Sequence, residues 1–261
     1  MEFAEGRLIT EVSGPCGWLT FNQPERLNAI RLDMWLALPE AVAQLDDDEQ
    51  TAAIVVRGAG MRAFISGADI GEFGRARYNA GSNRPFTEAV MAATRALSTA
   101  RKPVIAMIRG YCIGGGVVIA SACDMRLCSH DARFGVPAAR LGLGYELDNY
   151  KRLAAIVGAP LAIEMLTTAR QLTAEEALQA RFVSRVCPSA DLEATVASYV
   201  GMIAANAPMT IRAAKMCSRA ILDPSLEADA DAAIDACFDS EDYLEGRAAF
   251  SDKRPPKFSG R

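Results

Sequence analysis

Two apolar runs constrain the fold of this chain more than any other feature: TAAIVVRGA (51–59) and KPVIAMIRG (102–110), both rich in aliphatic residues and both interrupted by glycine. A run with no polar alternation reads as a strand covered on both faces, and helices are the usual cover. The surrounding sequence supplies them. RLDMWLALPEAVAQLDDD (31–48) and FTEAVMAATRALSTA (86–100) repeat apolar residues at helical spacing, and VVIASACD (117–124) follows a glycine run as a third helix. RLITEV (7–12) and GWLTFN (17–22) read as a hairpin around SGPC, and MRLCSHDARFGVPA (125–138) adds strand. The expected class is therefore α/β.

From about residue 150 the pattern becomes mainly helical: YKRLAAIVGAPLAIEMLTT, TAEEALQARF, ADLEATVASYVGMIAANA and PMTIRAAKMCSRAIL, punctuated by Pro160, Pro188, Pro208 and Pro224. Thr173 with Glu176 three residues on forms a capping box at the start of one of these helices.

Composition removes several functions. With 28 basic and 32 acidic residues and no long run of one sign, the chain lacks the basic surface that nucleic acid requires. No apolar stretch approaches the roughly 18 residues of a membrane span, and MEFAEGRLIT lacks the build of a signal peptide. A soluble, cytoplasmic protein without a membrane partner is expected. The seven cysteines include no CxxC pair and sit mostly in apolar runs, so they read as reduced core residues rather than disulfides or metal ligands. His130 is the only histidine. It rules out a histidine-rich metal site, and its place near a strand end suits a surface residue.

The stretch GYCIGGGVVIASACD (110–124) places Gly114, Gly115 and Gly116 between a strand and a helix. Bare backbone at a helix start can present N–H groups to a phosphate or a developing oxyanion. Alternatively, it only allows the helix to pack closely on a strand. GxGxxG and a Walker lysine are both absent, which argues against nucleotides. A second loop of small residues, AFISGADIGEF (63–73), follows the other apolar run. Two such loops could each contribute one N–H group to an oxyanion hole.

Taken together, FNQPERLNAI, AFISGADIGEF, KPVIAMIRGYCIGGGVVIASACDMRLCSHDARFGVPAARLGLGY, LTAEEALQARFVSRVCP and EGRAAFSDKRPPKF resemble the enoyl-CoA hydratase/isomerase (crotonase) superfamily over nearly the whole chain. The resemblance implies a spiral of ββα units over residues 1–190. It further implies a C-terminal helical trimerisation region over 191–261, a trimer or a dimer of trimers, and an acyl-CoA substrate. It implies no metal and no cofactor beyond the CoA carried by the substrate. Ser66 and Gly115 match the two oxyanion-hole positions. Arg26 and Leu27 match a CoA contact, Ala68, Asp69 and Ile70 line the same ligand, and Phe250 and Lys253 match tail positions that touch CoA, often across a subunit boundary.

The departures matter as much. Hydratases of this family use two glutamates, and their positions are Val118 and Ala138 here. Neither side chain carries a proton, so both become lining residues. Glu146, in LGLGYELDNYKRL, falls where some isomerases of the family place an acid, and a single base suffices to move a double bond. Asp148 is a second acid in reach. Tyr145 resembles a tyrosine of the family's decarboxylases, whose histidine position is Ala68 here. Cys112 and Cys123 are better read as core than as nucleophiles. The reading that follows is an isomerase with Ser66, Gly115 and Glu146 as its catalytic residues; a hydratase with rearranged acid and base, a decarboxylase and a non-catalytic acyl-CoA-binding protein remain alternatives. The apolar GVVIASA suits an aliphatic acyl group.

Overall fold

The computed structural model describes residues 1–69, 71 and 79–261. Its first strands, β1 (Glu2–Phe3), β2 (Leu8–Ser13) and β3 (Cys16–Phe21), are antiparallel, with Ser13 opposite Cys16 across the expected SGPC turn. Strand β4 (Ala53–Gly58) then pairs parallel with β3. From here the chain repeats one manoeuvre. It runs through a strand of a large sheet, crosses to a short strand of a small sheet, and returns through a helix.

The short strands are β5 (Ala63–Ile65), β7 (Tyr111–Ile113) and β9 (Arg133–Gly135), and the long ones after β4 are β6 (Val104–Ile108) and β8 (Met125–Ser129). With β10 (Gln171–Thr173) and β11 (Arg185–Cys187) they give sheets ordered β1-β2-β3-β4-β6-β8-β11 and β10-β9-β7-β5. This is a spiral of ββα units. Its turns place the ends of β5 and β7 side by side, which brings the two glycine loops together.

Helices α1 (Leu32–Asp47), α2 (Ala80–Thr99) and α3 (Gly115–Ala122) cover one face of the large sheet. Trp35, Leu38, Leu45, Ala93, Leu97, Val117 and Ile119 join Leu19, Ile54, Val56 and Ile108 in that core. Burying a side chain of this size contributes about 1.5–3 kcal/mol, so this layer anchors the site. Helix α2 begins six residues before the sequence pattern suggested. Asn79 caps it by accepting from Ser82 N–H, and the Ser82 side chain answers the Asn79 N–H, so the start tolerates Pro85 inside the first turns.

Helices α4 (Leu147–Val157), α5 (Ala159–Thr168) and α6 (Ala174–Gln179) follow, the last with the Thr173–Glu176 capping box in place. Helix α7 (Leu192–Ala204) seals the opposite face of the large sheet, where Leu192, Val196 and Val200 pack on Trp18, Val55, Ile105 and Leu127. Helices α8 (Pro208–Leu222), α9 (Glu227–Phe238) and α10 (Glu241–Asp252) complete the C-terminal region. Cys16, Cys112, Cys123 and Cys128 are buried in the core, and His130 is exposed. No helix among the described residues is long and apolar enough to cross a membrane.

Candidate active site

The glycines of the 114–116 run serve distinct purposes. Gly114 takes φ 52°, a left-handed conformation that favours glycine, and its N–H bonds the Gly135 carbonyl at 2.8 Å. A Cβ on Gly116 would stand 2.5 Å from the Ile65 carbonyl oxygen, so only glycine lets α3 start against the end of β5. Gly115 lies between them at the first position of α3, and its N–H has no backbone acceptor among the described residues. It is one of the donors that every helix start leaves unpaired.

The second loop crosses this one. Ile30 and Ala68 form a parallel bridge, in which Ile30 N–H donates to the Gly67 carbonyl at 2.8 Å and Asp69 N–H donates to the Ile30 carbonyl at 2.9 Å. Both bonds flank Ala68, whose own N–H has no backbone acceptor among the described residues. The expectation for Ser66 requires correction. Its N–H donates to the Leu27 carbonyl at 3.1 Å, so Ser66 is held by the loop at 27 and does not offer a free donor. Ala68, expected only to line the ligand, supplies the free N–H instead.

Both loops open into a cleft of about 920 Å³, counting its mouth. Trp35 and Phe86 close one side edge to face, with ring centroids 6.4 Å apart. Val118 and Ala138 both line the cleft, so the two positions that carry acids in hydratases are apolar wall. Glu146 also lines it, as the residue that precedes the first turn of α4. Its Oε1 accepts a hydrogen bond of 3.0 Å from the Thr87 hydroxyl on α2, which in turn accepts one of 3.1 Å from Asn83 Nδ2. Glu146 is the only carboxylate among the described residues that line the cleft. Asp148 is exposed on α4 and is not part of the lining, which removes it as a second acid.

Tyr145 lines the cleft, but its hydroxyl is enclosed without a partner among the described residues, and burial pushes the phenol above its ordinary range. Burial likewise pushes the Cys123 thiol up to about 12 and the Cys112 thiol well above its usual value, which disfavours either as a thiolate nucleophile. Sequence reading missed Thr87, Asn149 and Trp35. Nothing in FTEAV or RLDMWLAL marks them, because their role depends on where α1, α2 and α4 meet.

Of the positions expected to contact CoA, Ala68 lines the cleft, and Arg26, Leu27 and Asp69 are outside its lining. Arg26 bonds the Asp69 carboxylate at 2.9 Å, and Asp69 also accepts from Gly71 N–H, so Asp69 organises the loop edge. Leu27 stands in a left-handed conformation beside them. Ile70 lies outside the described residues. Phe250, 88% exposed on α10, and Lys253, at its end, are not in the cleft lining; a single chain does not bring them to the site.

Comparison with known proteins agrees with this geometry. The sequence profile for enoyl-CoA hydratase/isomerase matches residues 13–261. The chain is 31% identical to a short-chain-enoyl-CoA hydratase of Clostridium acetobutylicum, covering 95% of both proteins. It is 33% identical to a peroxisomal Delta(3,5)-Delta(2,4)-dienoyl-CoA isomerase of Arabidopsis thaliana, covering 92% of this chain and 91% of that one. The crystal structure of an enoyl-CoA hydratase/carnithine racemase from Magnetospirillum magneticum superposes with a TM-score of 0.92 at 34% identity, covering 98% of this chain and 96% of that one. With its ββα spiral, its paired glycine loops and a match over nearly its whole length, the chain belongs to the enoyl-CoA hydratase/isomerase family.

Proposed function

We propose that this protein shifts a double bond in an enoyl-CoA thioester, with Glu146 as its single proton carrier. The Ala68 and Gly115 N–H groups receive the thioester oxygen. Glu146 removes a proton from C2 of a 3-enoyl-CoA, the electron pair spreads through the double bond onto that oxygen, and the proton returns at C4 to give the 2-enoyl-CoA. Backbone donors fixed by sheet and helix need no reorganisation as charge develops, which is where such donors lower a barrier most. Proton and electrons both return to the substrate, so the reaction balances without a metal or a further cofactor.

The observation that carries this reading is the lining of the cleft: among the described residues one carboxylate, with apolar side chains at Val118 and Ala138. Hydration by two acids finds no second acid among those residues. The relatives named as hydratases support a second reading, in which Glu146 alone activates water. CoA would lie along the Arg26–Asp69 rim. The exposed Phe238, Leu244 and Phe250 on the C-terminal helices support self-association as a trimer or dimer of trimers, with Phe250 and Lys253 reaching a neighbour's CoA. The test is turnover of a 3-enoyl-CoA by wild type and Glu146→Gln. Migration lost in the variant with CoA-ester affinity retained supports the reading; migration retained overturns it.

A further inference from the structure

Glu146 enters the cleft from the start of α4, yet the group that bonds it, Thr87, stands on α2, 59 residues away in sequence. Asn83 and Thr87 lie one helical turn apart on the same face of α2. Their chemistry fixes the direction of the chain. An amide Nδ2 only donates, so it occupies a lone pair of the Thr87 oxygen, and the single hydroxyl proton of Thr87 is left for Glu146 Oε1. A donor held in this way fixes one carboxylate oxygen and leaves Oε2 for the substrate. Thr87 is the one hydrogen-bond partner of the Glu146 side chain among the described residues. The ionisable side chains of the neighbouring elements, Arg84 and Glu88 on α2, Arg140, Asp148 and Lys151, are exposed and outside the cleft lining, and half-buried Arg152 on α4 is outside it as well.

We infer that Thr87 is a positioning residue for Glu146, kept in its donating orientation by Asn83, so that two side chains of α2 aim the base of α4. The inference rests on the reading of Glu146 as the base. Thr87→Val keeps the shape of the side chain and removes the donor, whereas Thr87→Ser restores it. Asn83→Asp reverses the chain: a carboxylate only accepts, draws the Thr87 proton towards itself and turns a lone pair on Glu146.

The experiment measures kcat and KM of double-bond migration for these variants, with thermal unfolding as the check on folding. Thr87→Val is expected to lower kcat roughly ten- to hundred-fold at unchanged KM, the scale of one lost hydrogen bond to a charged group. Thr87→Ser should return kcat close to wild type, and Asn83→Asp should reproduce the Thr87→Val loss although Thr87 is intact. Wild-type kcat in Thr87→Val, or failure of Thr87→Ser to restore it in a folded protein, would overturn the inference. Glu146→Gln separates the two levels. If it still turns over, the base reading fails; if it is inactive while Thr87→Val and Asn83→Asp match wild type, only the positioning role fails.

Discussion

One wall of the cleft, at Ser66–Ala68 and Gly114–Gly116, is built from main chain, whereas the facing wall, from Pro137 to Asn149, is built from side chains on a loop and a helix start. The first wall depends on what is absent: a Cβ at Gly116 would strike the Ile65 carbonyl, and Gly114 holds a left-handed φ. The second depends on which side chains are present, with Ala138 inert and Glu146 ionisable. In the proposed reaction the backbone wall stabilises charge on the thioester oxygen, and the side-chain wall decides what becomes of the proton. One fold can therefore keep its first step and change its second.

This contrast breaks most sharply at Glu146. Glu146→Gln should lower migration by about 100- to 10,000-fold, the usual contribution of a general base, with a melting temperature near that of wild type. On the backbone wall the order is reversed. Gly116→Ala should cost about 1–3 kcal/mol in stability, because the Ile65 carbonyl must give way, and it should weaken turnover by displacing the Gly115 N–H. Calorimetry and kinetics on the two variants distinguish a site held by chemistry from one held by space.

Ser66→Ala tests the side chain alone. The main-chain N–H stays bonded to Leu27 and the lost hydroxyl contact to the Arg26 carbonyl is long, at 3.5 Å, so stability should change by no more than about 0.5 kcal/mol and kcat by less than about two-fold. A large loss of kcat would give the Ser66 hydroxyl a part in turnover. The smallest effect falls outside both walls, at the tail. The Arg254 guanidinium bonds both oxygens of Glu245, at 2.7 and 2.8 Å, and with Lys257 N–H lowers its carboxyl to about 2 from an ordinary 4.5. A lowered folded value stabilises above pH 4.5 and is lost as pH falls towards 2. Protection of the Lys257 amide relative to its intrinsic exchange rate should fall through that window in wild type and be lower throughout in Glu245→Gln.

Much of the backbone wall was legible in the sequence, because aliphatic runs, glycine loops and helical spacing are local signals that the spiral only brings together. The two apolar runs became β4 and β6, and the hairpin, the Thr173–Glu176 cap and the buried cysteines lie where the pattern put them. The choice between Ser66 and Ala68 was not legible, because it turns on a bridge between Ile30 and Ala68 that joins distant segments. Asp148 and Glu146 look equivalent in GYELDNY, and only the start of α4 sends one into the cleft and the other to solvent. Thr87 was invisible for the same reason: its partner arrives from another helix.

The most direct test of the central claim is mass analysis of a 3-enoyl-CoA incubated in heavy water with the wild-type protein and with Glu146→Gln. The account predicts a 2-enoyl product without accumulation of a hydroxyacyl-CoA, with deuterium at C4 only to the extent that the proton on Glu146 exchanges with solvent before it returns, and no migration in the variant. Accumulation of the hydroxyacyl-CoA in both proteins would contradict it, since water would then be adding without Glu146, the one carboxylate among the described residues that line the cleft.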